Sequence, residues 1–529
     1  MYSQKTLTTS QIFQLTVGCA SLLVSTPGLS QNQSQTLAAE KLPAVATTLR
    51  LTNETWKLPS NETMGMAGGT LLFDYSEHVK MGLATYGAVS GERGGFITIG
   101  LAAELNKKII DNWYSEAGLF VGGGGGRGGA ALAGGGLMVR SNAGISYDAK
   151  GLGKFGFGLS NVGFPSGVIQ TTQPYLQYDY SFPSLFVPGW RTAPSGTQTP
   201  DQNEAPLLTR AQEFSLVYLN YRLADSVVQT TGTAKQSSMK LMGVEWVSYL
   251  DDRWFLKLES EGAMGGGNNG YMQILAGGGY RYRLTPSTAI KMHLAAGPAG
   301  GGSVDTGGGL LIDTGIALQK KISRSTAMEL TVGEVRTPAA SFAAHSLAVK
   351  LNHQFVIPSA ASQASWAALD NFEPQALRIR TVNQTYLKGH SNWRSSNVDT
   401  NVDNIGIQLD YFLPNSKEST RVFLTGQGVG AYGGGAGAYM TGLVGAGVQV
   451  PVTTDWFVEG EGLVGAAGGG GLAVGTGLVS QVNTGIGYRL SNSLSLIGSV
   501  GYMTAFDGDF KAKVLGLTMA YQFTGFTAK

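Results

Sequence analysis

Cysteine is almost absent from this chain: Cys19 is the only one among 529 residues. It lies ahead of Ser30, so a chain cleaved after Ser30 has no thiol, no disulfide and no cysteine metal site. Charge is scarce as well. Asp, Glu, Lys and Arg make up 14% of residues, against about 25% in ordinary soluble proteins. The net charge is +2, which argues against nucleic acid or any strongly charged partner. After the N-terminus no apolar run approaches the ~20 residues of a membrane helix. The five histidines, at 78, 293, 345, 353 and 390, form no ligand cluster, and no cofactor is expected. Apolar residues still reach 43% and glycine numbers 78. Low charge, abundant glycine and no membrane helix suit strands whose outer face meets lipid.

The N-terminus has the layout of an export signal. Lys5 is the only charged residue before Glu40, the apolar segment Ile12 to Val24 follows, and Gly28 and Ser30 have the spacing a signal peptidase accepts. Residues 1–30 are therefore expected to be a cleaved signal peptide. Too few apolar residues precede Cys19 to favour a lipid-modified cysteine.

The rest of the chain repeats itself. Openings at Thr47 (TTLRLTNETWKL), Gln212 (QEFSLVYLNYRL) and Gln375 (QALRIRTVNQTYLKG) set a period of about 164 residues. Each copy ends in an alternating stretch closed by Phe182, Phe355 or Phe523. The joins are rich in Pro, Ala and Ser and read as linkers. The expected organisation is repeat 1 over 47–182, a linker over 183–210, repeat 2 over 211–355, a linker over 356–374 and repeat 3 over 375–526. The third copy predicts eight strands, beginning near Leu377, Gly406, Arg421, Gly437, Trp456, Leu472, Ser493 and Lys513.

Alternation is plain in the last strand of each copy. Leu515, Leu517, Met519, Tyr521 and Phe523 share one face, with Gly516, Thr518, Ala520 and Gln522 on the other. In the second copy Leu347, Val349 and Leu351 oppose Ala348, Lys350 and Asn352. His345 and His353 bracket that apolar face, which at roughly 3.3 Å per residue and ~40° of tilt spans about 20 Å, close to a bilayer's apolar band. The expected fold is an all-β transmembrane antiparallel β-barrel of about 24 strands. Three small barrels or one large barrel both fit, and the long linkers and Phe-closed copies favour three.

Glycine clusters recur at two hairpins in each copy, as at Gly265 to Gly267 and Gly300 to Gly302. In the first copy residues 118–140, GLFVGGGGGRGGAALAGGGLMVR, hold eleven glycines. A phosphate loop needs a following helix and a Gly-Lys-Ser/Thr ending, so these tracts predict strand–turn–strand, with glycine easing tight turns and a strongly bent sheet.

The signal segment, the repeated strands and the close MAYQF resemble Gram-negative outer-membrane β-barrel proteins. That resemblance implies placement in the outer membrane, contact with outer-membrane lipid and lipopolysaccharide, and insertion by the barrel-insertion machinery, which reads a terminal aromatic. Here TGFTAK continues past Phe523, and Phe526 is out of phase. The first copy is also similar in layout to eight-stranded lipid A deacylase barrels, whose late strand carries His-x-Ser-Asn. Ser160 and Asn161 match, but Gly158 stands in the place of His. A serine without a base is not activated, so Ser160 and Asn161 are expected to be loop-end residues, and no enzyme activity is expected.

The charges most open to a function are inward ones. Glu116 sits in WYSEAG, Glu459 and Glu461 share a face of WFVEGEG, and Glu259 and Glu261 share a face of FLKLESEG. Lys291 and His293 take the places of Glu459 and Glu461 in the second copy. The plain expectation is that these groups pair inside a narrow lumen with cations such as Arg140 and Lys257. The alternative is a polar lining that selects a solute. The expected role is envelope structure or interaction, with passive passage of small solutes left open. An acyl-hydrolase-like barrel and a secreted glycine-rich adhesive protein are the competing readings.

Overall fold

The computed structural model describes residues 41–192, 207–229, 236–359, 363–394, 400–414 and 419–529. The signal segment and Cys19 lie outside them, as do residues 230–235 and 395–399 of two long connections.

Three eight-stranded barrels form, one from each copy. The first comprises β1 (Lys41–Lys57), β2 (Thr63–Asp74), β3 (Val79–Gly91), β4 (Ile97–Ile110), β5 (Trp113–Gly125), β6 (Met138–Asp148), β7 (Lys154–Gly163) and β8 (Gln170–Leu185). It closes through β1 and β8, with Thr47 opposite Phe182. A two-residue strand β9 (Val187–Pro188) follows. The second barrel comprises β10 (Leu208–Leu223), β11 (Ser238–Tyr249), β12 (Trp254–Gly265), β13 (Met272–Thr285), β14 (Thr288–Gly300), β15 (Leu310–Lys321), β16 (Thr326–Arg336) and β17 (Ala343–Ser359), and closes through β10 and β17. After the short β18 (Gln363–Ser365) come β19 (Phe372–Lys388), β20 (Val402–Phe412), β21 (Arg421–Ala431), β22 (Met440–Pro451), β23 (Trp456–Gly468), β24 (Leu478–Arg489), β25 (Leu494–Ala505) and β26 (Lys511–Ala528), closed through β19 and β26. All three seams join the first and last strands of one copy, so the single large barrel does not form. Antiparallel neighbours with two-residue side-chain alternation follow from the short turns and the alternating sequence.

The segments between barrels are clasps as well as tethers. β9 pairs with Phe523 and Thr524 of β26, and β18 pairs with residues 41–43 of β1. The linker leaving barrel 1 thus augments barrel 3, and the linker leaving barrel 2 augments barrel 1. Leu42, Leu185, Val187, Ala364, Trp366, Leu369 and Phe526 form one buried cluster there. Phe526 lies on the inward parity of β26, and its ring meets Trp366 edge-on at 5.6 Å. This is the physical reason for its phase: it closes the clasp, whereas Phe523 packs outward against Phe186 at 5.6 Å. Trp366→Ala is expected to remove ~3 kcal/mol of local stability. Limited proteolysis of residues 356–374 should then accelerate while the barrels keep their resistance.

The barrels pack as a closed ring. The fifth strand of each meets the third strand of another: β5 with β21, β23 with β12, and β14 with β3. Such head-to-tail contacts close after three steps, giving a pseudo-threefold assembly within one chain. The glycine tracts lie at these junctions. A Cβ on Gly123 would stand 2.3 Å from the Gly430 carbonyl oxygen, and one on Gly430 would stand 2.5 Å from that of Gly123. Gly87 abuts Pro298, and Gly262 abuts Ala466. Gly94 N–H donates to Gly307 O at 2.8 Å, Gly437 N–H to Gly134 O at 3.0 Å, and the Thr476 hydroxyl to Met264 O at 3.3 Å. Glycine therefore serves backbone-to-backbone contact between barrels, a role that the expectation of tight turns and a strongly bent sheet omitted. The tract after β5 also contains a five-residue helix, Gly129–Ala133, where only a turn was expected.

Candidate functional site: the barrel interiors

Strand parity sends the polar and charged side chains of the networks inward, and lines the outside with mainly apolar ones, in every barrel. On β19, Arg378, Arg380 and Gln384 face inward, while on β26 Leu515, Leu517 and Tyr521 face outward and are exposed. The same division holds on β17, where Lys350 and Asn352 are buried between exposed Leu347, Val349 and Leu351.

Each interior holds an ionic network, most of it in the half nearer the chain termini. In barrel 1, Arg50 bridges three carboxylates: Nη1 lies 2.8 Å from Glu104, Nη2 3.0 Å from Glu116 and Nε 2.8 Å from Asp179. Arg140 donates to Glu54 at 3.0 Å, and Glu54 also accepts from Trp56 Nε1 and the Ser160 hydroxyl at 2.7 Å each. In barrel 2, Lys291 joins Glu213 (3.1 Å) and Glu329 (2.8 Å), Lys350 joins Glu245 (2.7 Å), and Lys257 joins Glu259 (2.9 Å) and Glu245 (3.2 Å). His293 Nε2 lies 2.7 Å from Asp313. Glu261 accepts from Gln273 at 3.2 Å. In barrel 3, Arg378 and Arg380 both hold Asp410, at 2.7 and 2.6 Å, and both hold Glu459, at 2.9 and 2.8 Å. Arg380 also reaches Glu461 at 3.3 Å.

All nine side chains singled out in the sequence are thus inside. Glu116, Arg140, Lys257, Glu259, Glu261, Lys291, Glu459 and Glu461 are buried, and the His293 side chain is 7% exposed. They do not form one site, because they belong to three separate interiors. Glu116 is neutralised by Arg50, and Arg140 by Glu54. The sequence reading missed Arg50, Glu54, Glu104, Asp179, Glu213, Glu245, Asp313, Glu329, Lys350, Arg378, Arg380 and Asp410 as network members. Parity could have found several: Arg50 alternates with Leu49 and Leu51, and Arg378 and Arg380 flank Ile379.

The other half of each barrel is filled by apolar side chains with an aromatic centre. Trp56, Phe96 and Phe164 pack edge-to-face at 5.6–6.3 Å in barrel 1. Phe342 stacks on Tyr271 at 5.6 Å in barrel 2. Phe510 stacks on Trp393 at 6.1 Å and meets Tyr386 at 6.0 Å in barrel 3. Eight strands leave an interior that side chains can fill, and here they do. A cavity of about 20 Å³ between Arg380, Gln408, Glu459, Glu461 and Asn483 has room for about one water molecule.

Ser160 and Asn161 lie within β7, not at a loop end. Ser160 points inward, donating to Glu54 and accepting from Gln173 Nε2 at 2.8 Å; Asn161 points outward and donates to Thr172 at 2.8 Å. Among the described residues, no three His, Cys, Asp or Glu side chains are grouped to hold a metal ion.

The fold defines the class: an all-β chain of antiparallel barrels. No protein-family profile matches the sequence, and no curated protein sequence matches it. Among solved structures, the chain is similar to a mutant ferric enterobactin receptor from Pseudomonas aeruginosa. That match has 10% identity and a TM-score of 0.27, covering 90% of this chain and 80% of the receptor. It is also similar to OpdQ from the same organism, at 8% identity and TM-score 0.22, covering 92% and 98%. The siderophore receptor PirA from Acinetobacter baumannii gives 9% identity and TM-score 0.26, covering 90% and 80%. At such scores the likeness carries no weight for function.

Proposed function

We propose that the chain is an integral outer-membrane protein, a three-barrel unit with closed interiors that serves envelope structure or interaction without conducting solute. The observation that carries this reading is the inverted polarity. Ionic networks occupy part of each interior, and rows of Leu, Val and aromatic residues cover the outside. A soluble protein would expose an apolar surface far beyond the few hundred Å² monomers tolerate, and it rarely buries this many charges. In a bilayer the same surface is matched to its solvent, and a closed barrel leaves no unpaired strand edge in lipid. Exposed Trp113, Tyr147, Trp246, Trp254, Trp456 and Tyr488 lie at the strand ends nearer the termini, as an interfacial aromatic girdle would. The opposite end carries the long connections 224–237 and 389–401, which supports an outward-facing assignment for that end.

The aromatic plugs argue against passive solute passage. A lipid-acting hydrolase has no support from Ser160, whose hydroxyl is bound to a buried carboxylate. Cell fractionation tests the reading. The mature chain is expected in the outer-membrane fraction, resistant to carbonate extraction. Recovery from the culture medium would instead favour a secreted adhesive protein.

A further inference from the structure

The outer wall of barrel 2 changes character between its two rims. At the end nearer the termini it carries Phe214, Trp246 and His353, all exposed. At the other end it carries a basic cluster on four neighbouring strands. Arg222 of β10 stands opposite His345 of β17, and His345 stands opposite Glu334 of β16. Lys240 of β11 lies opposite Asn220, one row toward mid-wall. Arg336 lies opposite Ala343, one row toward the rim. All five charged or titratable groups are exposed. Among the described residues, none of Arg222, Lys240 and Arg336 has a carboxylate within ion-pair distance, although Glu334 is close in register. Directly below them Val332, Leu347, Leu330, Val349 and Tyr218 form an exposed apolar face. In barrel 1 the places of Glu334 and His345 are taken by Asn161 and Thr172, which hydrogen-bond each other.

Unpaired cations on a lipid-facing wall, at the edge of its apolar band, are placed for an anionic headgroup whose acyl chains lie along the strands below. We propose that this rim binds the phosphorylated headgroup of an outer-leaflet lipid through Arg222, Lys240 and Arg336. His345 lies beside them, and the acyl chains rest on Val332, Leu347 and Val349. Arginine suits the role because its fork can hold two phosphate oxygens at once. The inference rests on the membrane reading above and adds the partner's chemistry and its place.

The test uses the full mature chain in detergent, titrated with bisphosphorylated lipid A and with the same lipid after phosphate removal. Binding is followed by native mass spectrometry. The wild type is expected to bind the phosphorylated form at least about tenfold more tightly. The Arg222→Ala/Lys240→Ala/Arg336→Ala variant should lose on the order of 100-fold in affinity for it. Glu334→Gln, which removes the acid that stands opposite His345, should tighten binding several-fold. That arm reads out independently of any folding loss in the triple variant, whose native state is checked by its gel shift on boiling. Equal affinity for the two lipids, or undiminished binding by a folded triple variant, would overturn the proposal. Failure of the membrane reading shows separately, as absence of the chain from the membrane fraction.

Discussion

Arg50→Met is expected to destabilise barrel 1 by about 3–5 kcal/mol, the range for stripping one partner from a buried ion pair. The magnitude comes from geometry. Arg50 is 4% exposed, and its guanidinium is the common partner of Glu104, Glu116 and Asp179. Methionine fills much of the volume, so the lost charge dominates the outcome. Three carboxylates would then face one another with Arg140 committed to Glu54. Arg50→Lys should fall between wild type and methionine, because one ammonium keeps the charge but loses the planar fork. Urea unfolding of the full chain in detergent, followed by the gel mobility of unboiled samples, reads the effect. A methionine variant as stable as wild type would mean that these carboxylates are protonated or hydrated, not held by Arg50. Combining Arg50→Met with Glu104→Gln and Asp179→Asn should recover part of the loss, since contacting residues are not additive.

Gly123→Val should separate barrel 1 from barrel 3 and leave both closed. The Gly123 Cβ position already lies within 2.3 Å of the Gly430 oxygen, and Gly430 belongs to a different barrel. Relief therefore comes most easily by moving one barrel away from the other. Overpacking of this kind costs ~1–3 kcal/mol, all of it charged to one junction of the ring. The measurable consequence is hydrogen exchange: the Gly437 N–H, which donates to the Gly134 carbonyl across the junction at 3.0 Å, should be protected in the otherwise wild-type chain. In the Gly123→Val background that amide should exchange several-fold faster, with the boiling-dependent gel shift unchanged. Loss of the gel shift instead would mean that the glycine is needed for barrel closure itself.

The legible part of this fold was the part encoded in single strands. Alternation such as Leu515-Gly516-Leu517-Thr518 set inside from outside, and the three Phe-closed copies set the number of barrels that could close. The inward orientation of Glu459 and Glu461 followed from the same parity. Less legible was everything that needed a second barrel. Gly123 and Gly430 are 307 positions apart, and nothing local marks them as partners. Their glycines have a sufficient local reason in turns, which hides the long-range one. Phe526 looked like a phase error because its partner, Trp366, lies in a segment that reads as a linker. The plugs were hidden for a different cause: Trp56, Phe96 and Phe164 sit near strand ends, where aromatics are also expected at a membrane interface. The pairing of Arg50 with Glu116 required knowing that β1 and β5 face each other across one lumen.

The measurement that tests the account most directly is electrical. The full mature chain, refolded in detergent and verified by its gel shift, is added to a planar lipid bilayer in salt solution. Closed interiors predict a silent membrane, with no steady unitary conductance at any applied voltage. Regular, protein-dependent steps of fixed size would contradict it. They would mean that the ionic networks line an open path and that the aromatic plugs move aside.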